Sequence, residues 1–199
     1  MGYATSEHGA QAPLAVKILI AGGFGVGKTT MVGSVSEVPP LRTEEYLTHA
    51  SVGVDDLEGL SGKSTTTVAL DFGRITINDQ LVLYLFGTPG QERFWFMWND
   101  LVNGALGAVV LVDTRRLDVS FASIDFFENR GIPFVVGVNC FHGVRDRTPQ
   151  EIRAALDLDP QVPLVLCDAR DRKAGRDVLL TLIDHLMAVQ ERSTPHPVP

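Results

Sequence analysis

One octapeptide constrains this chain more than any other feature. Gly22-Gly23-Phe24-Gly25-Val26-Gly27-Lys28-Thr29 fits the pattern G-x-x-x-x-G-K-[ST], and it stands one residue after Leu14 to Ile20, a run rich in branched apolar residues. Such a stretch ends a strand, turns through glycines and opens a helix. The glycines let successive backbone N–H groups point inward around a polyphosphate, and the helix N-terminus adds partial positive charge. The pattern predicts a phosphate site lined by Gly23, Phe24, Gly25, Val26, Gly27, Lys28, Thr29 and Thr30. In that site Lys28 reaches the β- and γ-phosphates and the Thr29 hydroxyl binds Mg²⁺.

The rest of the chain supplies the matching scaffold. Thr66 to Ile77 alternates as a strand, and Leu81 to Phe86 follows it after the turn at Asn78-Asp79, as in a hairpin. Ala108 to Val112, Pro133 to Val138 and Leu164 to Leu166 are unbroken apolar runs, as strands buried on both faces of a parallel sheet are. Helical patterns lie between them, at about Lys28 to Ser36, Phe94 to Asn103, Val119 to Asn129, Thr148 to Leu156 and Gly175 to Glu191. The last carries Val178, Leu179, Leu182, Ile183, Leu186 and Val189 on one stripe. This alternation predicts an α/β P-loop NTPase fold. It is a three-layer sandwich around a mostly parallel sheet of about six strands, with one antiparallel strand from the hairpin. Residues 13–191 are expected to form that single domain, between flexible tails at 1–12 and 192–199.

Charge narrows the class further. Acids outnumber bases by 24 to 17, and no basic block is present, so binding to a nucleic-acid backbone is not expected. Two cysteines argue against a secreted disulfide scaffold. No apolar run approaches the roughly 18 residues of a membrane span. The N-terminus has no basic and then apolar leader, so a cytoplasmic protein is expected.

With the octapeptide first in the sheet, the stretch from Leu14 to about Gln190 resembles a small Ras-like GTPase. Thr67-Val68-Ala69-Leu70-Asp71-Phe72 looks like the T-x-x-x-D-F that joins switch I to the second strand. The resemblance implies that Thr67 ligands Mg²⁺ and senses the γ-phosphate, with Thr65 and Thr66 as close competitors. Gly87-Thr88-Pro89-Gly90-Gln91-Glu92-Arg93-Phe94 resembles the D-T-A-G-Q-E of switch II. Gly90 then offers its N–H to the γ-phosphate and Gln91 orients the attacking water. Gly87 replaces the family's aspartate, so a Mg²⁺ site short of one anion is expected. Asp113, at the end of the fourth family strand, is read as a capping or turn residue.

The base side departs more. Asn139-Cys140-Phe141-His142 stands at the position of N-K-x-D. Asn139 matches, Cys140 replaces the lysine that lies over the base, and His142 replaces the carboxylate that selects guanine. Cys167-Asp168-Ala169-Arg170 looks like the S-A-K loop, whose Ala169 N–H meets the base oxygen and whose Arg170 shields the base, with Asp168 beside them. Cys140 and Cys167 then flank one pocket, where an oxidative link is one option and two reduced thiols are favoured in a cytoplasm.

Gly87 to Trp98, with its R-F-W-F-M-W ending, resembles the ATP/GTP-binding proteins of actinobacterial conservon operons and, more distantly, the bacterial polarity GTPase. That resemblance implies a roadblock-fold partner and a sensor-kinase-like membrane protein that brings the chain to the inner face of the membrane. The chain itself is then a monomer or part of a nucleotide-dependent complex. In the aromatic run, Phe94 and Trp98 are expected to share a buried helix face, with at least one aromatic left at the surface and Trp95 the candidate. Together these readings predict a slow switch that binds GTP/GDP, with ATP left open, and uses Mg²⁺, Lys28 and Gln91. The alternative is a nucleotide-bound interaction module without turnover. No arginine stands in place as an internal finger, and Lys63 lacks the bidentate fork.

Overall fold

The computed structural model describes residues 12–39, 41–47, 66–143 and 145–193. Strand β1 (Leu14–Ala21) shows how its sheet is built. Val16, Ile18 and Ile20 enter one apolar layer, and Leu19 and Ala21 enter another. Successive strand side chains point to opposite faces, so an unbroken apolar run needs cover on both. A strand of this kind is central. β1 is flanked by β4 (Leu81–Gly87) and β5 (Ala105–Val112), both parallel to it. β6 (Phe134–Asn139) and β7 (Leu164–Cys167) continue in parallel beyond β5. On the other side, β3 (Thr66–Asn78) runs antiparallel to β4 and also to an edge strand, β2 (Leu41–Leu47). The sheet therefore has seven strands in the order β2-β3-β4-β1-β5-β6-β7, of which β3 alone runs against the rest.

The expected sheet of about six mostly parallel strands is present, and β2 is the strand that the sequence reading did not contain. Its sequence, Leu-Arg-Thr-Glu-Glu-Tyr-Leu, has no apolar face to reveal it. It exists because β3 offers a free ladder, and its charged composition suits an edge that must resist pairing with other chains. The hairpin turn lies close to its expected place, with Gln80 N donating to Asn78 Oδ1 at 2.9 Å.

Two helices cover one face. α1 (Lys28–Val35) contributes Met31, Val32 and Val35, and α5 (Arg172–Ser193) contributes Val178, Leu179 and Leu182 from the expected stripe. α2 (Trp98–Leu101), α3 (Phe121–Glu128) and α4 (Pro149–Ala155) cover the other, through Trp98, Ile124, Phe127 and Ile152. A capping box opens α4: Thr148 N donates to Glu151 Oε2 at 2.7 Å and Glu151 N donates back to Thr148 Oγ1 at 3.2 Å.

The expected helix from Phe94 to Asn103 is instead a 3-10 turn, Glu92–Met97, that leads into the short α2. Three residues per turn put positions 95 and 98 on one stripe. Trp95 accordingly packs against Trp98, with ring centroids 5.9 Å apart, while Phe96 is 54% exposed. The surface aromatic is Phe96 rather than Trp95, and Phe94 and Trp98 are buried as expected. Residues 1–11 and 194–199 of the expected tails lie outside the described residues. Among the described residues no helix is long and apolar enough to cross a membrane.

Candidate functional site

The parallel strands all end at one edge of the sheet, where the order reverses around β1, and ligands of open α/β sheets bind at such a point. The loop after β1 occupies it. Gly27 has φ 108°, and a Cβ there would lie 2.6 Å from Asn139 Nδ2, so both conformation and space demand glycine. This geometry delivers Lys28 and Thr29 to the first turn of α1. Lys28 Nζ donates to the carbonyls of Gly22 at 2.8 Å and Gly23 at 2.6 Å. Burial pushes its pKa down to about 8, and the nearby charge of Asp71 opposes the shift. Val26 is buried, while Phe24 at the crest of the loop is 65% exposed and Thr30 lies exposed in α1.

The Thr29 hydroxyl donates to Asp71 Oδ2. Asp71 stands on β3 beside the end of β4, because Phe72 pairs with Phe86. A Cβ built on Gly87 would lie 3.0 Å from Asp71 Cβ and 3.2 Å from Asp71 Oδ2. The carboxylate therefore fills the space that a side chain at position 87 would enter. The neighbouring strand thus places a carboxylate beside Gly87, where the family's aspartate is missing. A hydroxyl and a carboxylate are hard oxygen donors, the kind Mg²⁺ takes while phosphates and water complete its octahedron. These residues fit that ion. Thr67 lies in β3, but its side chain and that of Thr66 lie outside the described residues, as does Thr65 altogether.

The loop after β4 closes over Lys28. A Cβ at Gly90 would lie 2.5 Å from Lys28 Nζ and 2.9 Å from both Gly23 O and Phe24 N. Only glycine lets this backbone approach the ammonium so closely. Gln91 follows, half-buried, with its carbonyl accepting from Phe94 N at 3.0 Å. Trp98 anchors the turn from below, donating from Nε1 to Pro89 O at 3.0 Å.

On the base side, Asn139 is buried and its amide is fully engaged. Nδ2 donates to Val26 O at 2.9 Å, and Oδ1 accepts from Ala169 N at 3.0 Å. The Ala169 N–H assigned to the base oxygen is thus given to Asn139, which ties two site loops together. Cys140 is corrected more sharply. It is a buried member of the apolar layer on the α3 and α4 face, and burial pushes its pKa up. Cys167 belongs to the opposite layer, and burial pushes its pKa up to about 12. Asn139 pairs with Cys167, so residue 140 has the opposite parity and the two thiols lie on opposite faces of the sheet. Both are free, and no link between them forms.

His142 has a left-handed backbone, φ 57°, and its Nδ1 lies 3.4 Å from Arg170 Nη1. Arg170 grips Asp168 with Nε at 2.9 Å and Nη2 at 2.6 Å, and these hydrogen bonds hold the Asp168 carboxyl down at about 2. The fold thus brings His142, Asp168 and Arg170 together, with the carboxylate already answered by the guanidinium. Asp113 accepts from the backbone N of Arg115 at 3.0 Å, a turn residue as read, and also forms an ion pair with its side chain at 2.7 Å.

Sequence reasoning missed two groups. Asp71 was inside a recognised motif, yet its role follows only from the β3–β4 register. Arg116, beyond β5, donates from Nη2 to Phe24 O at 2.8 Å across 92 positions of sequence. No spacing rule reveals such a contact.

Comparison with known proteins agrees with this geometry. The G domain of the T. maritima FeoB iron transporter superposes with a TM-score of 0.60 at 14% identity, covering 86% of this chain and 99% of that one. Its cytosolic domain in a GDP form gives 0.63 at 13% identity, with 88% of this chain and 65% of that one covered. These likenesses show a G-domain fold. In sequence, the chain is 25% identical to Ras-related protein Rab-1C of Dictyostelium discoideum over 96% of its own length and 88% of that protein's. It is also 29% identical to an uncharacterised protein of Methanocaldococcus jannaschii, over 62% of this chain and 69% of the other. The architecture is that of a P-loop NTPase, similar to G domains. Because the model of one family, described as conserved hypothetical ATP binding protein, matches residues 20–189, from within β1 to near the end of α5, the chain belongs to that family.

Proposed function

We propose that the chain is a small molecular switch that binds GTP, and ATP less tightly, with Mg²⁺ and hydrolyses it slowly. The observation that carries this reading is the joining of Lys28, Thr29 and Asp71 at the loop after β1. Lys28 is a desolvated cation for the β- and γ-phosphates. Thr29 and Asp71 would hold Mg²⁺, which when bound neutralises phosphate charge. Gly90 lies against the ammonium and offers its N–H at the γ end, and Gln91 beside it orients the attacking water. The Rab likeness supports GTP and the family description supports ATP. Asn139, engaged on both sides, and His142 in place of a carboxylate support weak discrimination between them.

Turnover without a partner is slow in this reading, as it is in Ras-like switches before a partner completes their site. Gly87 and His142, each in place of a family carboxylate, favour a second reading, in which nucleotide is held without turnover and the chain serves as an interaction module. In either, the partners are a roadblock-fold protein and a sensor-kinase-like membrane protein that recruits the cytoplasmic chain to the membrane face. Exposed Phe96, five residues from Gln91, is a contact surface suited to a nucleotide-dependent partner.

The test begins with purified chain, denatured and resolved by anion exchange, which is expected to release guanine nucleotide. Titration of the emptied protein with GTP and ATP at fixed Mg²⁺ follows. Absence of any triphosphate binding overturns the proposal. Single-turnover hydrolysis in Gln91→Leu separates the two readings. A rate at least tenfold lower with unchanged affinity supports the switch, and a wild type without measurable hydrolysis supports the module.

A further inference from the structure

We infer that Arg116 is the internal arginine of this site, placed to contact the terminal phosphate of a bound triphosphate and to stabilise its charge as the bond to that phosphate breaks. The inference rests on the proposed nucleotide reading and adds to it a residue that the motifs do not contain.

Among the described residues, Arg115, Arg116 and Arg170 stand near the mouth of the site, and Arg115 and Arg170 are already paired. Arg115 is paired with Asp113 at 2.7 Å and lies over the Phe141 ring at 4.2 Å. Arg170 is paired with Asp168 at 2.6 Å. Arg116 forms no ion pair among the described residues, and the one hydrogen bond of its guanidinium there goes to a neutral carbonyl, Phe24 O, at 2.8 Å. A guanidinium carries five N–H donors in a planar fork. One bond to a carbonyl leaves most of that fork free for an anion.

Its position names the end of the ligand it meets. Phe24 is the crest of the phosphate loop, and its N lies 2.9 Å from a Cβ built on Gly90. Gly90 in turn backs onto Lys28 Nζ, the cation of the β- and γ-phosphates. Gly25, next along the loop, would place a Cβ 3.6 Å from Arg116 Nη2. The guanidinium therefore rests on the crest of the loop, at Phe24 and Gly25, next to the backbone that Gly90 approaches. The anchor is firm: the segment that carries Arg116 packs on the loop, since a Cβ at Gly23 would lie 2.8 Å from Val119 Cγ2. Phe24 itself is 65% exposed at that crest.

In the reaction, water attacks the γ-phosphorus, the bond from that phosphorus to the β–γ bridging oxygen breaks, and the electron pair leaves with the nucleoside diphosphate. The proton of the water ends on inorganic phosphate or solvent. Charge grows on the bridging and terminal oxygens as this happens. Arginines in this role act on the transition state, so they change turnover more than diphosphate binding.

The test compares wild type, Arg116→Ala, Arg116→Lys and Lys28→Ala as full-length protein. It measures single-turnover GTP hydrolysis and the affinities for GDP and a non-hydrolysable GTP analogue. For Arg116→Ala the expected result is hydrolysis at least tenfold slower and a loss of the preference for the triphosphate analogue, with GDP affinity within about twofold of wild type. Arg116→Lys, which keeps charge without the fork, is expected to fall between. The affinity ratio still decides the matter if wild-type hydrolysis is too slow to time. Equal losses of GDP and analogue affinity mean that Arg116 merely props the loop, and that overturns the inference. So does an Arg116→Ala protein with unchanged hydrolysis and unchanged ratio. If Lys28→Ala loses nucleotide while Arg116→Ala behaves as wild type, only the role of Arg116 falls. If wild type binds no triphosphate at all, the nucleotide reading itself fails.

Discussion

The phosphate half and the base half of the site are made from the same kind of part, a loop leaving the end of a parallel strand, yet their polar groups are spent differently. In the phosphate half, Lys28 and Arg116 rest on neutral carbonyls and the Thr29 hydroxyl rests on a carboxylate, an arrangement open to a triphosphate and a cation. In the base half, the protein answers its own groups. Asn139 joins Val26 to Ala169, Arg170 holds Asp168, and Cys140 is in the apolar layer. A satisfied buried group gains little by exchanging one partner for another. Affinity should therefore come from the phosphates, with the base half acting as a brace.

The largest expected effect is at Lys28. Lys28→Ala removes a cation from two phosphates at roughly 1.5–3 kcal/mol each, so triphosphate affinity should fall by at least about a hundredfold. Calorimetric titration measures this, and circular dichroism checks that the fold survives. An unchanged affinity would break the comparison at its strong end.

The next effect concerns the anion that moved between strands. Asp71→Ala should weaken Mg²⁺-dependent triphosphate binding by about tenfold or more, as loss of a group supporting a metal ligand does. Gly87→Asp alone should also weaken it, by crowding Asp71, whose Cβ is 3.0 Å from the new Cβ. The double change Asp71→Gly with Gly87→Asp returns the carboxylate to β4 and should restore most of the loss. Mg²⁺ titrations of the three variants measure this. Equal Mg²⁺ dependence in all three would show that Asp71 does not serve the ion.

A smaller effect is expected on the base side. His142→Asp restores a carboxylate with two acceptor oxygens, and aspartate tolerates the left-handed backbone found there. The ratio of GTP to ATP affinity should rise by less than about tenfold, because Arg170 stands 3.4 Å away to neutralise the new charge. Competition between the two nucleotides reads this out. A change larger than that of Lys28→Ala would reverse the comparison.

The smallest signal is a fraction of a proton. In the folded chain the Lys28 pKa is about 8, against 10.5 in the unfolded one. Near pH 8 the amine is about half protonated, and phosphate favours the charged form, so binding should take up about half a proton. Binding enthalpies at pH 8 in two buffers of different ionisation enthalpy detect it. The linked sign is also fixed. Between about pH 8 and 10.5 the unfolded chain binds more protons, so the ligand-free fold gains stability as pH rises through that window while triphosphate affinity falls. No buffer dependence would mean that Lys28 is not the desolvated cation of this half.

Much of the molecule is legible in its residues alone. The glycine-rich octapeptide, the buried strands and the long amphipathic helix are local signals, in which a residue and its two neighbours at a fixed period decide the outcome. What lies beyond such reading is non-local. Edge strand β2 has no pattern of its own and depends on β3 for its ladder. The 3-10 turn at Glu92–Met97 changes which aromatic reaches the surface, because a period of three replaces one of 3.6.

The sequence by itself determined that a loop rich in glycine, followed by Lys28-Thr29, would stand between a central strand and a helix. Chirality, strand burial and the φ that only glycine adopts leave few other choices. Tertiary structure alone decided what that loop would meet. Strand register set Asp71 beside Gly87, sheet parity sent Cys140 and Cys167 to opposite faces, and the packing of the chain after β5 laid Arg116 on Phe24. The physical reason is that a contact between distant residues depends on the relative placement of whole strands, which no single stretch of sequence encodes.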